Sequence, residues 1–416
     1  MPETPILVLN SGSSSIKFSL FHASGDAQHK LYEGAVDGIG TDLGKFWIKD
    51  ADGKRLVDQT PAIPNREVAF KLVADALSKP PFPYPAAIGH RMVSGGPHLT
   101  VHQRITAEVL EEMERRIAFA PLHSPIAIYI MRKAEELFPG VPNFVCFDSA
   151  FHTTIPEVAA RFAIPENYWQ QGVRRYGAHG ISYESIVYQL GDAVPPRLIV
   201  AHLGNGSSMT AIRDGKSVDT SMGLTPTGGL ISGTRTGDID PGVLLYILRD
   251  FEPEIPNTKA AADKLETIVA KKSGLLGVSQ VSNDMRDLRE KIKEGCPHAR
   301  MAVSQFAYVI RKFIGSYVAV LGGLDLLVFT GGIGENDTET RAEVCAGLEH
   351  LGITLDPQRN NVRGRATISA DSSRVKVQVI PPAEDLLIVL HTYRLMNEYG
   401  LANGDTLRKL PALQPE

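Results

Sequence analysis

The sequence predicts an α/β fold in two related domains, and three observations carry that prediction. Apolar runs that end in glycine with serine or asparagine occur three times: 6–9 before NSGSSS, 198–201 before HLGNGSS and 324–330 before GGIGEN. Each reads as a buried strand running into a tight loop. Stretches with helical periodicity lie between them, and strands mixed with helices in this way define an α/β architecture. The third observation is an internal echo. In the first two cases a second strand-like run follows directly, at 16–21 and 209–212, and a glycine turn closes it. Gly12-Ser13-Ser14 aligns with Gly206-Ser207-Ser208 at an offset of 194 residues, close to half of a 416-residue chain.

In chain order, the helical pattern covers 105–120, then 124–138, where Ser124 precedes Pro125 as a cap, and later 301–321. Strands are expected at NFVCFD, RLIVAHLG, DLLVFTGG and VKVQVI. The proline-rich KPPFPYP at 79–85 and EPEIPNT at 252–258 read as loops rather than domain linkers.

Composition narrows the function. Lys and Arg number 43 against 47 Asp and Glu, a net charge of −4, and no basic block is present. Neither nucleic acid nor an anionic membrane is an expected partner. Cys146, Cys296 and Cys345 are widely spaced without a CxxC, so a reducing cytoplasm fits better than a disulfide framework or a zinc knuckle. The N-terminal segment has no basic n-region or long apolar h-region, so export and membrane insertion are not expected. Glycine, at 38 residues, is the one excess.

Small residues after a strand let backbone N–H groups approach an anion, and phosphate is the natural guest. Three such loops, two of them paired, point to a nucleotide held between two domains. None is a Walker loop or a GxGxxG that opens a helix. Lys17 follows Gly12 closely enough to reach a phosphate. Arg91 in GHRMVSGG, Asp148 in FDSAFH, His179 in YGAHG and Arg235 in GTRTGDIDPG all sit at the ends of apolar runs or among glycines. Together they supply what phosphoryl transfer needs: cations for developing charge, a carboxylate, and room for Mg²⁺.

NSGSSSIK, GHRMVSGG, PLHSP, FDSAFH, YGAHG, HLGNGSS, GTRTGDIDP, GGIGEN and PPAEDLL occur in that order over essentially the whole chain, which on these motifs resembles the acetate kinase family. The resemblance implies two duplicated βββαβαβα-type domains of the actin/ribonuclease H-like kind with a nucleotide cleft between them. The lobes would be 1–150 with 385–416 and 151–384, and the molecule a homodimer. It implies reversible, Mg²⁺-dependent transfer of phosphate between ATP and acetate, with Mn²⁺ as a possible substitute and ADP and acetyl phosphate as products.

The resemblance also assigns residues. Asn10 and Glu384 match the metal site, and Lys17 the phosphate-contacting lysine. His202, Leu203, Gly204, Asn205 and Gly206, with Asp284, Met285 and Arg286 and with Gly332, Ile333, Gly334, Glu335 and Asn336, match the nucleotide contacts. Arg91 matches the carboxylate-binding arginine, Asp148 the active-site acid, and His179 and Arg235 the transition-state stabilisers. Val93, Leu122 and Pro226 match the lining of the acyl pocket. Two guanidiniums and an imidazole suit a metaphosphate-like group held in line. A carboxylate is already nucleophilic at pH 7, so Asp148 is expected to position rather than to deprotonate.

The chain departs from the family pattern at four places. Ala178 replaces an aromatic, Ser94-Gly95-Gly96-Pro97 replaces His-Gly-Gly-Glu, GLISGTR at 229–235 replaces GLMMGTR, and Met285 replaces an aromatic. Loss of the ring at 178 predicts a larger acyl pocket, worth roughly 1 to 3 kcal/mol in chain-length discrimination. Acetate is expected as the preferred acid, with propionate or butyrate tolerated. A propionate or butyrate kinase is the rival reading within the class, and an actin-like, non-catalytic ATP-binding switch the rival outside it.

Overall fold

The computed structural model describes residues 3–12, 15–25, 27–121, 123–251 and 258–401. Residues 252–257 of the loop expected at 252–258, acyl-pocket residue Leu122, and Ser13 and Ser14 of the first glycine loop lie outside them, and Thr258 opens helix Thr258–Lys271. The chain divides into two compact units, Met1–Ala150 with Ala383–Glu416, and Phe151–Pro382.

The first unit holds eight strands: β1 (Thr4–Ser11), β2 (Ser15–Ser24), β3 (Ala27–Asp37), β4 (Lys45–Asp50), β5 (Arg55–Gln59), β6 (Ala87–Met92), β7 (Gln103–Arg104) and β8 (Asn143–Phe147). Their order is β5-β4-β3-β2-β1-β6-β8-β7. β1 to β5 form an antiparallel meander, β1, β6 and β8 run parallel, and β7 pairs antiparallel with β8. Helices Arg66–Leu77 and Ser124–Leu137 place Phe70, Val73, Ile130 and Ala134 in one core with Leu7, Leu9 and Ile88. Helix Glu384–Glu398 packs on β1, β6 and β8 through a buried row that includes Leu387, Ile388 and Tyr393. That apolar row ties Glu384 to the first unit, not to the second lobe where the expected boundary put it.

The second unit repeats the plan with six strands: β9 (Arg197–His202), β10 (Ser208–Arg213), β11 (Lys216–Thr220), β12 (Leu326–Thr330), β13 (Ala366–Thr367) and β14 (Lys376–Val379), ordered β11-β10-β9-β12-β14-β13. β9 to β11 form the antiparallel meander, β9, β12 and β14 run parallel, and β13 closes the edge antiparallel to β14. This matches β3-β2-β1-β6-β8-β7 strand for strand. Alternation sorts the two faces. Leu198, Val200, Leu326 and Val328 meet Tyr183 and Ile186 of helix Gly180–Leu190, whereas Ile199, Ala201, Leu327 and Phe329 meet Phe306 and Ile310 of helix Pro297–Leu321.

Local chemistry moved several element bounds. The helix expected from 301 starts at Pro297, where the missing N–H costs nothing in a first turn. Ser124 is the first helical residue, and His123 takes the cap position. The pattern at 105–120 divides into helix Ala107–Arg115, capped by Thr106, and a 3-10 turn at Ile117–Phe119. GGIGEN is a six-residue helix, Gly331–Asn336, and not a loop. Cys146, Cys296 and Cys345 are free. Among the described residues, no helix is long and apolar enough to cross a membrane.

Candidate active site

In the first unit the candidate residues gather at the carboxyl ends of the parallel strands, where ligands bind in open α/β sheets. Asn10 lies near the end of β1 and pairs in register with exposed Lys17 on β2. Arg91 is on the adjacent β6, beside Cys146 of β8, and Asp148 follows β8 directly. The Arg91 guanidinium grips Asp148 along its Nε–Nη2 edge, Nε donating to Oδ1 at 3.1 Å and Nη2 to Oδ2 at 2.8 Å. Glu384 Oε2 lies 3.4 Å from Nη1. The Asp148 side chain is fully buried.

Burial works against the Arg91 charge, but Asp148 and Glu384 together hold its pKa above the ordinary arginine value. Burial raises the Glu384 carboxyl; Arg91 and Lys17 oppose the rise and the Asp148 charge adds to it. Asp385 is also raised by burial, against a 2.7 Å hydrogen bond from Ser19 Oγ. The cluster is therefore short of positive charge, with two carboxylates sharing one guanidinium.

Val93, half-buried, leads out of β6, and its carbonyl accepts the Ser149 N–H at 3.2 Å. Ser149 Oγ accepts the Gly95 N–H at 3.3 Å, and Ser94 Oγ accepts that of Gly96 at 3.2 Å. Ser94 thus closes the turn with its own side chain, which gives the departure at this position a structural use. The turn is tied to the segment that presents Asp148.

In the second unit the HLGNGSS hairpin is the organising element. His179 has left-handed backbone (φ 56°) at the start of helix Gly180–Leu190. Its Nδ1 is 2.7 Å from Ser208 Oγ, which Tyr183 OH also contacts. Its ring stacks on His202, centroids 4.2 Å apart, and His202 Nδ1 is 2.8 Å from Ser182 Oγ. With Nδ1 anchored, Nε2 faces the loop. A β-carbon at Gly206 would lie 3.5 Å from both His179 Nε2 and Arg235 Nη1. Glycine there leaves the space open between the two. Arg235 Nη1 also donates to the Pro226 carbonyl at 3.1 Å, and burial lowers the guanidinium pKa.

The GLISGTR segment touches the same hairpin. Gly233 N–H donates to the Asn205 carbonyl at 2.8 Å, and a β-carbon at Gly233 would fall 1.9 Å from Asn205 Oδ1. A side chain there would displace the Asn205 carboxamide.

Beside it opens a cavity of about 690 Å³, within the range of small-molecule sites. Gly204 and Asn205, Asp284 to Arg286, and Gly332, Ile333 and Asn336 all line it, so three separated motifs meet in one place. His202, Leu203, Gly206, Gly334 and Glu335 are not in its lining. Leu203 is fully buried, and its carbonyl accepts the N–H groups of Ile333 at 2.8 Å and Gly334 at 3.2 Å. Two of the GGIGEN amides, those of Ile333 and Gly334, are thus already taken by protein. Asp284 caps helix Met285–Lys293 by accepting the Arg286 N–H at 2.8 Å; the Arg286 guanidinium lowers its pKa. Burial raises Glu335. The lining also includes Asn283, Arg289, Asp337 and Arg363, which no motif singled out. Asn283 and Asp337 adjoin Asp284 and Asn336 in sequence, but Arg289 and Arg363 carry no sequence signal.

A duplicated α/β topology of the actin/ribonuclease H-like kind, with His179 and Arg235 flanking Gly206 beside a cavity of small-molecule size, is the plan of a phosphotransferase. The chain matches the model of the acetokinase family over residues 5–390. It is 42% identical over 403 residues to the acetate kinase of Geobacillus sp. (strain WCH70), covering 94% of this chain and 99% of that one. An acetate kinase of Bacteroides fragilis is 41% identical over 406 residues, covering 94% and 100%. Among solved structures, Porphyromonas gingivalis acetate kinase superposes with a TM-score of 0.81 at 36% identity, covering 94% of this chain and 100% of that one. A propionate kinase from Francisella tularensis gives 0.85 at 36% identity, with the same coverage. The chain belongs to the acetokinase family, enzymes that pass a phosphoryl group between a nucleotide and a carboxylate.

Proposed function

We propose that the protein catalyses reversible phosphoryl transfer between ATP and acetate, giving ADP and acetyl phosphate by direct in-line attack. The observation that carries this reading is the convergence of His179 Nε2 and Arg235 Nη1 on Gly206, each 3.5 Å from its β-position, beside the cavity lined by three nucleotide motifs.

Arg91 binds the acetate carboxylate. With Nε and Nη2 engaged by Asp148 and Nη1 3.4 Å from Glu384 Oε2, a substrate oxygen takes the N–H groups left over on Nη1 and Nη2. Asp148 acts as the brace of Arg91. No general base is required, because acetate is ionised at neutral pH. A carboxylate oxygen attacks the γ-phosphorus, the new O–P bond forms as the bond to the β,γ-bridging oxygen breaks, and the electron pair leaves with ADP. Arg235 and His179 neutralise the equatorial oxygens, for which removal of one such group typically costs about 2.7 to 4 kcal/mol. Lys17 reaches toward the phosphates.

Asn10 and Glu384 offer hard oxygen donors, and the shortage of positive charge around Glu384 and Asp148 suits Mg²⁺, or Mn²⁺ in its place. When bound, the cation neutralises charge on the β- and γ-phosphates.

Acetate is the preferred acid. Val93 and Pro226 are assigned to the acyl end by their match to the family motifs. Ala178, 2% exposed, is packed within its own unit, and its carbonyl is 3.2 Å from His152 Nε2. The lost ring therefore leaves no open surface in the second unit. Measuring kcat/KM for the C2 to C4 acids tests this reading: acetate should lead, and a clear preference for propionate or butyrate would overturn it.

The protein works as a homodimer in the cytoplasm. Helix Pro241–Arg249 buries none of its residues and exposes Val243, Leu245 and Tyr246 (41%, 51% and 73%), an apolar face suited to a second copy. The free thiols suit a reducing compartment.

A further inference from the structure

We propose that Arg363 forms one wall of the nucleoside subsite and stacks its guanidinium on the purine of the bound nucleotide. The inference rests on the nucleotide reading above and adds to it a residue that none of the motifs contains.

Position within the second unit comes first. His179 and Arg235, the groups assigned to the transferring phosphoryl, flank Gly206 and do not line the 690 Å³ cavity. The cavity therefore takes the nucleoside, with the phosphates leading out past Gly204 toward Gly206. Arg363 lines it together with apolar Met285 and Ile333. Apolar side chains and a planar cation are surfaces that accept an aromatic base.

Charge separates Arg363 from its neighbours. Three arginines line the cavity. Arg286 is committed to Asp284, with Nη2 2.6 Å from Oδ2. Arg289 is committed to Asp337 at 3.1 Å and to Glu343 at 2.8 Å. Arg363 is exposed and makes no side-chain hydrogen bond or ion pair among the described residues. It is the arginine whose planar fork is available to a ligand.

Its backbone is held in place. Arg341, fully buried, uses all five N–H groups. Nη1 donates to the Gly334 and Glu335 carbonyls, both at 2.9 Å; Nε donates to Asn360 Oδ1 at 2.8 Å; and Nη2 donates to the Asn360 and Val362 carbonyls at 2.7 and 3.0 Å. One guanidinium thus fastens the GGIGEN helix to the residue before Arg363. The free side chain rises from a backbone fixed relative to a cavity wall.

The test is equilibrium binding of ATP and of inorganic tripolyphosphate to the full-length protein, comparing wild type with Arg363→Ala, Arg363→Gln and Arg363→Lys. Stacking predicts a loss of ATP affinity of roughly threefold to thirtyfold in the Ala and Gln variants. Lysine should restore little of it, and tripolyphosphate affinity should be unchanged. Unchanged ATP affinity overturns the proposal. So does an equal loss for tripolyphosphate, or full rescue by lysine, since either would make Arg363 a phosphate contact. A wild type that binds tripolyphosphate but not ATP would remove the nucleotide reading itself, a result distinct from any variant effect.

Discussion

Arg91 and Asp148 illustrate how one residue pair can serve both fold and chemistry. A fully buried carboxylate needs a cation, and Arg91 meets that need through Nε and Nη2 while N–H groups on Nη1 and Nη2 are left over for a substrate. Arg91→Ala and Arg235→Ala should each reduce kcat by at least about two orders of magnitude, the usual scale for removing one preorganised charge-stabilising group. Steady-state assays would show this, and near-normal turnover in either variant would contradict its assigned role. His90, next to Arg91 in sequence, gives a prediction about stability. Burial lowers its pKa from 6.5 to about 4, against a 2.7 Å contact with Asn143 Oδ1. As pH falls the unfolded chain takes up the proton first. The contribution is complete above pH 6.5 and is lost as pH falls toward 4, amounting to roughly 3 kcal/mol. Thermal unfolding of wild type and His90→Asn between pH 7 and 5 should show a shallower pH slope in the variant.

Among the elements, the GGIGEN helix depends on a single side chain beyond its own length. Arg341→Met would leave the carbonyls of Gly334, Glu335, Asn360 and Val362 without their donor. At about 1 to 3 kcal/mol per orphaned buried group, partly relieved by water, urea unfolding should register a loss of several kcal/mol. Helix Pro241–Arg249 makes the opposite prediction. Leu245→Glu with Tyr246→Glu should leave folding intact and shift sedimentation from dimer to monomer, because neither side chain is buried in the chain itself. The sequence made strands such as 198–201 and 326–330 legible because both faces are covered, so their apolar runs are unbroken. GGIGEN was misread because the groups that shape it, the Leu203 carbonyl and the Arg341 guanidinium, are remote in sequence. Arg363 was invisible for the same reason: a lone exposed arginine gains meaning only from the cavity it lines.

Across the whole molecule, the echo between Gly12 and Gly206 proved to be part of a deeper repeat. Six strands of each unit share one order and one pattern of parallel and antiparallel pairing. Sequence showed only the glycine hairpins of that repeat, because β13 and β7, two residues each, carry no pattern to read. The return of the chain to the first unit was placed close to Glu384, but the side on which Glu384 falls depends on the packing of its helix, not on its own identity. On the proposed roles the two units divide the labour, with carboxylate recognition, the metal donors and Lys17 in the first and the nucleotide cavity, His179 and Arg235 in the second. The most direct test is hydroxylamine trapping of acyl phosphate from ATP, Mg²⁺ and acetate. The wild type should form acetyl hydroxamate, and Arg91→Ala and Arg235→Ala should form almost none. A wild type that binds ATP yet yields no hydroxamate would contradict the assignment and leave a nucleotide switch in its place.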